Sequence, residues 1–260
     1  MPLVQNHVRR RLAEGGLALG FGVHHLRGSA IGMIAQATGF DWLFIDMEHG
    51  AMSVDDATRI SIAALGQGIT PIVRVCKDAL HEGTRCLDNG AMGVVVPHID
   101  TAAEAQAVVD AYRFPPTGTR SWGGPPFAYG LGPVNAAAAQ AELNAEILIA
   151  CMIETPEAVA NAEAIAAVPG VDVLMFGTSD LTATMGIPGQ IGHPDVRAAY
   201  AKVGAACAAQ GKVMGMGGVY DEKVAPDYIR LGARSILGGN DHSFVMAGAA
   251  QRASFLRGLG

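Results

Sequence analysis

Eight short apolar runs, each followed by a stretch of helical periodicity, set the rhythm of this chain and leave few folds open to it. The runs fall at 17–23, 42–46, 70–75, 93–98, 147–154, 171–177, 213–217 and 235–239. Helical patterns fall at 29–38, 54–67, 79–89, 101–112, 156–167, 194–210, 221–231 and 242–257. Most runs are apolar on both faces, as parallel strands are when crossover helices cover them. Ser53, Asp100-Thr101 and Thr155-Pro156 supply helix starts, and Gly39, Gly90 and Gly170 supply helix ends. Eight strand–helix units predict an α/β fold, a (β/α)8 barrel forming a single domain over residues 1–260. A doubly wound sheet would place a Gly-x-Gly-x-x-Gly fingerprint after the first strand. Here Gly20-Phe21-Gly22 is followed by His24-His25, and the spacing is wrong.

Residues 113–134 break the rhythm with prolines and glycines and read as a long functional loop, a lid or a subunit contact. A helical stretch at Asn135–Asn144 then leads into the fifth strand. Half of the residues are hydrophobic and the net charge is -6, which argues against a nucleic-acid partner. The one basic cluster, Arg9-Arg10-Arg11, reads as part of a surface helix. No run has the length of a membrane span, and the start of the chain lacks the pattern of a signal peptide. Cys76, Cys86, Cys151 and Cys207 have neither metal-finger nor redox spacing and read as reduced core residues. The expected location is the cytoplasm, without a membrane.

The fifth and sixth runs each lead into a carboxylate, Glu154 and Asp180. A buried strand has little reason to deliver an unpaired charge, because burying one is expensive. Two adjacent strands doing so at their carboxyl ends, where barrel active sites collect, look like half the coordination sphere of a divalent, Mg²⁺-like cation. Water and a chelating 2-oxo acid would complete the sphere, and the cation would act as a Lewis acid stabilising an enolate. Each acid alone also has a plainer reading, Glu154 capping the helix at Pro156 and Asp180 capping the next turn.

The second strand delivers Asp46, Glu48 and His49, the third Arg74, and the fourth His98. Arg74 lies between Val73 and Val75 and needs a specific anion: either negative charge developing on a substrate oxygen or a buried structural acid. His49, the side-chain type best suited to proton transfer, is the candidate general base. One of His24 and His25 is expected to line the pocket, and His98 reads as structural. Gly177-Thr178-Ser179 offers backbone N–H groups to a substrate carboxylate. A Schiff-base route needs a desolvated lysine, and the sole candidate, Lys77, sits beside Asp78 in a solvated setting.

These residues resemble the HpcH/HpaI aldolase family of metal-dependent pyruvate aldolases along essentially the whole chain. The strongest portions are Gly39–His49, Pro71–Arg74, Leu87–Gly90, Arg113–Arg120, Ile153–Thr155 and Gly177–Leu181. The resemblance implies that Glu154 and Asp180 hold Mg²⁺, Mn²⁺ or Co²⁺, that Arg74 contacts the keto oxygen of pyruvate, and that His49 is the acid/base. It also singles out Asp88, which in the family pairs with the catalytic histidine of a neighbouring subunit, and Asp46, which supports that histidine from behind. It implies a homo-oligomer, a hexamer built as a trimer of dimers, with the C-terminal helix packed on a neighbour. No organic cofactor is implied. The chain departs from the family at Met152, where glutamine is frequent near the substrate. It departs again at Val23-His24-His25 and Cys76-Lys77, where tryptophans are common.

The resulting expectation is a lyase that reversibly cleaves 4-hydroxy-2-oxo acids to pyruvate or hydroxypyruvate and an aldehyde. Decarboxylation of oxaloacetate-type acids, or a decarboxylating condensation, is the alternative on the same scaffold. A 2-oxo-acid-binding protein, and an isomerase using Gly238-Gly239 as a phosphate cradle, are the more distant readings.

Overall fold

The computed structural model describes residues 5–260. Eight strands, β1 (Ala18–Val23), β2 (Trp42–Asp46), β3 (Thr70–Arg74), β4 (Gly93–Val96), β5 (Leu148–Ile153), β6 (Val173–Gly177), β7 (Val213–Gly217) and β8 (Ala233–Asn240), form a closed barrel in sequence order. All neighbours are parallel, and β1 pairs with both β2 and β8 to complete the ring. The strand–helix alternation therefore yields the barrel that the sequence predicts.

The pleat sorts the side chains into two cores. Trp42, Phe44, Ile72, Val95, Met152 and Met175 fill the interior, while Leu43, Ile45, Val73, Val94, Ile149 and Leu174 pack outward against the helices. Both faces are dry, hence the unbroken apolar runs. The Trp42 indole fits because Gly20 faces it; a Cβ there would lie 2.4 Å from the ring. Helix His7–Ala13 carries the arginine triplet and sends Val8 and Leu12 into the interior core at the amino-terminal end of the barrel. Its Arg9 pairs with Asp172 at 2.7 Å.

Several boundaries differ from the sequence expectation for local reasons. The pattern at 156–167 splits into helices Pro156–Ala160 and Ala162–Ala166 at Asn161, whose amide donates to the Asp100 carbonyl at 2.8 Å. The pattern at 221–231 contracts to Ala225–Arg230, because the Asp221 carboxylate accepts from the N–H groups of Lys223 and Val224 and holds a turn there. The 113–134 segment contains one 3-10 turn, Phe127–Tyr129. It is anchored by buried Arg113, which donates to the Asn144, Ile147 and Gly170 carbonyls and to Asp172. Burial pushes the thiols of Cys86, Cys151 and Cys207 up to about 12, consistent with inert core residues. No described helix is long and apolar enough to cross a membrane.

Candidate active site at the carboxyl ends of the strands

Register brings the first pair together. Asp46 ends β2 directly beside Arg74 at the end of β3. Asp46 is fully buried and accepts from Arg74 Nε (2.9 Å) and Nη2 (2.6 Å) in a two-pronged pair, and from the backbone N–H groups of Glu48 and His49. Burial alone would raise the Asp46 pKa, but the hydrogen bonds and charge of Arg74 outweigh it and hold the carboxyl below its ordinary range. Arg74 Nη1 lies 3.0 Å from Glu48 Oε2, and the guanidinium sits over the Phe44 ring. The structural acid anticipated for Arg74 is thus Asp46, yet Arg74 also lines the pocket.

The second cluster is built around Glu154, which is 1% exposed and, among the described residues, forms its one ion pair with His98 rather than with a lysine or arginine. Its Oε2 accepts from the His98 N–H at 2.7 Å and lies 3.1 Å from His98 Nδ1. Burial raises the Glu154 pKa, and the charges of Asp180 and Glu48 push in the same direction. Neither acid caps a helix: Thr155 caps the helix at Pro156, and Asp180 is the third residue of helix Thr178–Thr184. Gly177 is the cradle for this side chain, since a Cβ there would lie 2.2 Å from Glu154 Oε1. Glu48 Oε2 is buried and makes no hydrogen bond despite its proximity to Arg74. Hard oxygen donors with unsatisfied charge, held in a glycine-made recess, fit a divalent cation. Among the described residues no three His, Cys, Asp or Glu side chains form a ligand set, so a cation here would rest on two carboxylates, with water and substrate for the remainder.

A pocket of about 280 Å³ joins the two clusters, and its lining includes His24, His49, Arg74, Met152, Asp180 and Tyr220. Gly177, Thr178 and Ser179 also line it, although the Thr178 hydroxyl is engaged with the Gly217 carbonyl and Tyr200. The His49 imidazole is 62% exposed, with Glu48 at 4.0 Å as its nearest acid. Asp88 lies elsewhere within one chain, accepting from Arg120 Nη2 at 2.6 Å.

Two features of the site, His98 and Tyr220, escaped the sequence analysis, and the choice between His24 and His25 was left open there. His98, read as structural, bridges Glu48 (3.4 Å) and Glu154, in a left-handed backbone conformation at φ 56°. Its position after Pro97 at a strand end was the available signal. His24 is the pocket-lining member of the doublet, with Nδ1 3.3 Å from Asp46 Oδ2. Tyr220, the third residue beyond β7, is separated by Val219 from Gly217 and Gly218, which deliver no side chain of their own. Lys77 is held by Glu104 and the His98 carbonyl, both at 2.6 Å, as a solvated lysine would be. Gly238 and Gly239 make room for aromatic rings rather than a phosphate: a Cβ on Gly239 would strike Phe244 at 2.4 Å.

The model of the HpcH/HpaI aldolase/citrate lyase family matches residues 25–247. A 4-hydroxy-4-methyl-2-oxoglutarate aldolase from Hapsidospora irregularis is 38% identical over 96% of this chain and 94% of its own. A 4-hydroxy-2-oxovalerate aldolase from Novosphingobium aromaticivorans is 37% identical over 94% of this chain and 92% of its own. Among solved structures, an HpcH/HpaI aldolase from Desulfitobacterium hafniense superposes with a TM-score of 0.88, at 30% identity over 96% of each chain.

Proposed function

Since the chain belongs to the HpcH/HpaI aldolase/citrate lyase family and is a carbon–carbon lyase, we propose that it reversibly cleaves 4-hydroxy-2-oxo acids to pyruvate or hydroxypyruvate and an aldehyde. The observation that carries this reading is the buried Glu154 carboxylate, which among the described residues is bridged by no arginine or lysine and is crowded by Asp180 and Glu48. Glu154 and Asp180 would hold a divalent cation, magnesium, manganese or cobalt, with no organic cofactor. When bound, it supplies Lewis acidity toward the oxygens of the 2-oxo acid.

The chain's own residues supply the rest. Arg74 is fixed by Asp46 and presents permanent positive charge where the keto oxygen becomes an enolate. The backbone N–H groups of Gly177, Thr178 and Ser179 face the substrate carboxylate, and Met152 forms the floor beside Arg74. In cleavage, His49 accepts the proton of the C4 hydroxyl, the C3–C4 bond breaks, and its electron pair passes into the enolate. The aldehyde leaves, and protonation at C3 gives the 2-oxo acid. Asp88 from a neighbouring copy orients His49. The final helix supports that assembly: of Asp241–Arg257 only Asp241 is buried, and Phe244, Val245, Met246, Phe255 and Leu256 are exposed. An apolar face of that extent calls for a partner, here further copies of the chain in a hexamer built as a trimer of dimers. The protein acts as one barrel domain over residues 1–260, in the cytoplasm.

Two measurements test the chemistry. Exhaustive chelation should abolish turnover, and borohydride with pyruvate should trap no covalent adduct; the opposite result in either overturns the metal route. Arg74→Ala should abolish exchange of the methyl protons of pyruvate with solvent, and undiminished exchange refutes its enolate role.

A further inference from the structure

The wall of the pocket at the ends of β6 and β7 is made of main chain. Gly177, Thr178, Ser179, Gly217 and Gly218 all line it, and the glycines among them have no side chain by which to hold their place. Gly177 and Gly217 are register partners at the two strand ends. Gly218, at φ 78°, packs so closely on the neighbouring turn that a Cβ there would lie 3.2 Å from the Ser179 nitrogen. Glycine backbone is conformationally permissive, so a wall of this kind must be held from behind.

That support is a chain of two hydrogen bonds. The Thr178 hydroxyl, fully buried, donates to the Gly217 carbonyl at 2.6 Å and lies 2.8 Å from the Tyr200 hydroxyl. A hydroxyl has one proton to give, and a carbonyl can only accept. The Thr178 proton is therefore committed to Gly217, and Tyr200 is the donor to Thr178 Oγ1. Tyr200 lies on helix Pro194–Ala209 and is fully buried; burial pushes its phenol well above the ordinary range, so the donor keeps its proton. Its ring is stacked between Phe176 of β6 (3.7 Å) and Tyr228 (3.8 Å), which fixes where the phenol oxygen sits. Tyr200 itself is not part of the pocket lining.

We propose that Tyr200 is a positioning residue for substrate binding: through the Thr178 hydroxyl it holds the Gly177–Ser179 turn against the end of β7 in the arrangement that receives the carboxylate of the 2-oxo acid. The inference rests on the aldolase reading above and deepens it, adding a residue behind the pocket to those that line it. Without the phenol hydroxyl, Thr178 Oγ1 loses the donor that fixes its rotamer, and the wall is free to leave that arrangement. Apparent affinity then falls with the fraction of molecules that remain competent to bind. Arg74 and His49 belong to β3 and the loop after β2, so the loss falls on binding rather than on bond breaking.

The test is a cycle of variants read by exchange of the methyl protons of pyruvate with solvent, followed by nuclear magnetic resonance on the magnesium-loaded enzyme. Tyr200→Phe deletes one oxygen atom and keeps both stacks. It should raise the KM for pyruvate about fivefold, the worth of one net hydrogen bond, while kcat for exchange stays within about twofold. In a Thr178→Ser background, which keeps the accepting hydroxyl, Tyr200→Phe should raise KM by the same factor. In a Thr178→Val background, where no acceptor remains, it should leave KM where Thr178→Val alone has put it. Thermal unfolding of the metal-free variants gives an independent sign. Tyr200→Phe should lower the midpoint in the wild-type and Thr178→Ser backgrounds and raise it in the Thr178→Val background, where it removes a buried hydroxyl left without a partner. An unchanged KM for Tyr200→Phe, or the same rise in KM in all three backgrounds, overturns the positioning role and leaves the aldolase reading standing. A wild type that exchanges no proton of pyruvate overturns both.

Discussion

Gly177→Ala is the most economical way to disturb the Glu154 recess. Gly177 has φ -99°, a backbone that alanine adopts without strain, so the perturbation is confined to one added methyl. That methyl carbon would lie 2.2 Å from Glu154 Oε1, 2.7 Å from Cγ and 2.9 Å from Cδ. Carbon–oxygen contacts do not close below about 3.2 Å, so the carboxylate must withdraw by about 1 Å. Withdrawal also weakens the hydrogen bond from the His98 N–H. A displacement of that size at an oriented group lowers rate by about 100-fold, and a misoriented ligand weakens a metal site by about 10- to 100-fold. Stability should fall by at most about 1 kcal/mol, the difference between glycine and alanine at a helix N-cap. Manganese titration followed by electron paramagnetic resonance reads the first effect, a lactate dehydrogenase-coupled cleavage assay the second, and thermal unfolding of the metal-free protein the third. Against a Glu154→Gln background the alanine should add little to the loss of manganese affinity. If Gly177→Ala alone leaves both manganese affinity and turnover within about threefold of wild type, Glu154 is not the ligand and the recess has another purpose.

Three further outcomes follow from the same contacts. Asp46→Asn leaves Arg74 buried without its acid and should destabilise the fold by about 3 kcal/mol at pH 7, read by urea unfolding. Because the folded-state pKa of Asp46 is depressed, its contribution is present above the ordinary carboxylate value and lost as pH falls through the depressed one, so the variant should lose less stability than wild type on acidification below about pH 4. His49→Asn should lower kcat for cleavage by about 100-fold or more, while leaving manganese affinity within a few-fold, and equal loss of both would assign the histidine to the metal. Val245→Asp with Met246→Asp places two charges on the exposed face of the final helix and should dissociate the assembly in light scattering, with loss of turnover if Asp88 acts across subunits.

The barrel was legible because its strands are dry on both faces and its turns carry caps, all signals that lie within a dozen residues of one another. Glu154 and Asp180 were legible through the same locality, as acids where strands have no use for them. Arg74 beside Asp46 was half legible: the arginine announced that it needed an anion, but only the register of β2 against β3 shows which one it has. What could not be read depends on contacts across the chain. His98 enters the site through a left-handed backbone that no local pattern specifies, Asp88 is captured by Arg120 some 32 residues on, and the His24 loop is clamped by Asp241. The break at Asn161 belongs to the same class, because it is set by a carbonyl 61 residues away.

Asp46 links the two halves of the pocket. Its carboxylate takes Arg74 on both oxygens and faces His24 from Oδ2, so one buried acid stands behind both the guanidinium and the imidazole that line the pocket. A group shared in this way cannot serve one side independently of the other. Protonating or removing it releases Arg74 and His24 together. The positions of Arg74 and His24 are therefore coupled in this chain through one buried residue. The histidine after β1 adds a second claimant for the acid that fixes the arginine. The coupling predicts that His24 and Arg74 substitutions are non-additive, with the double variant losing less than the product of the single losses.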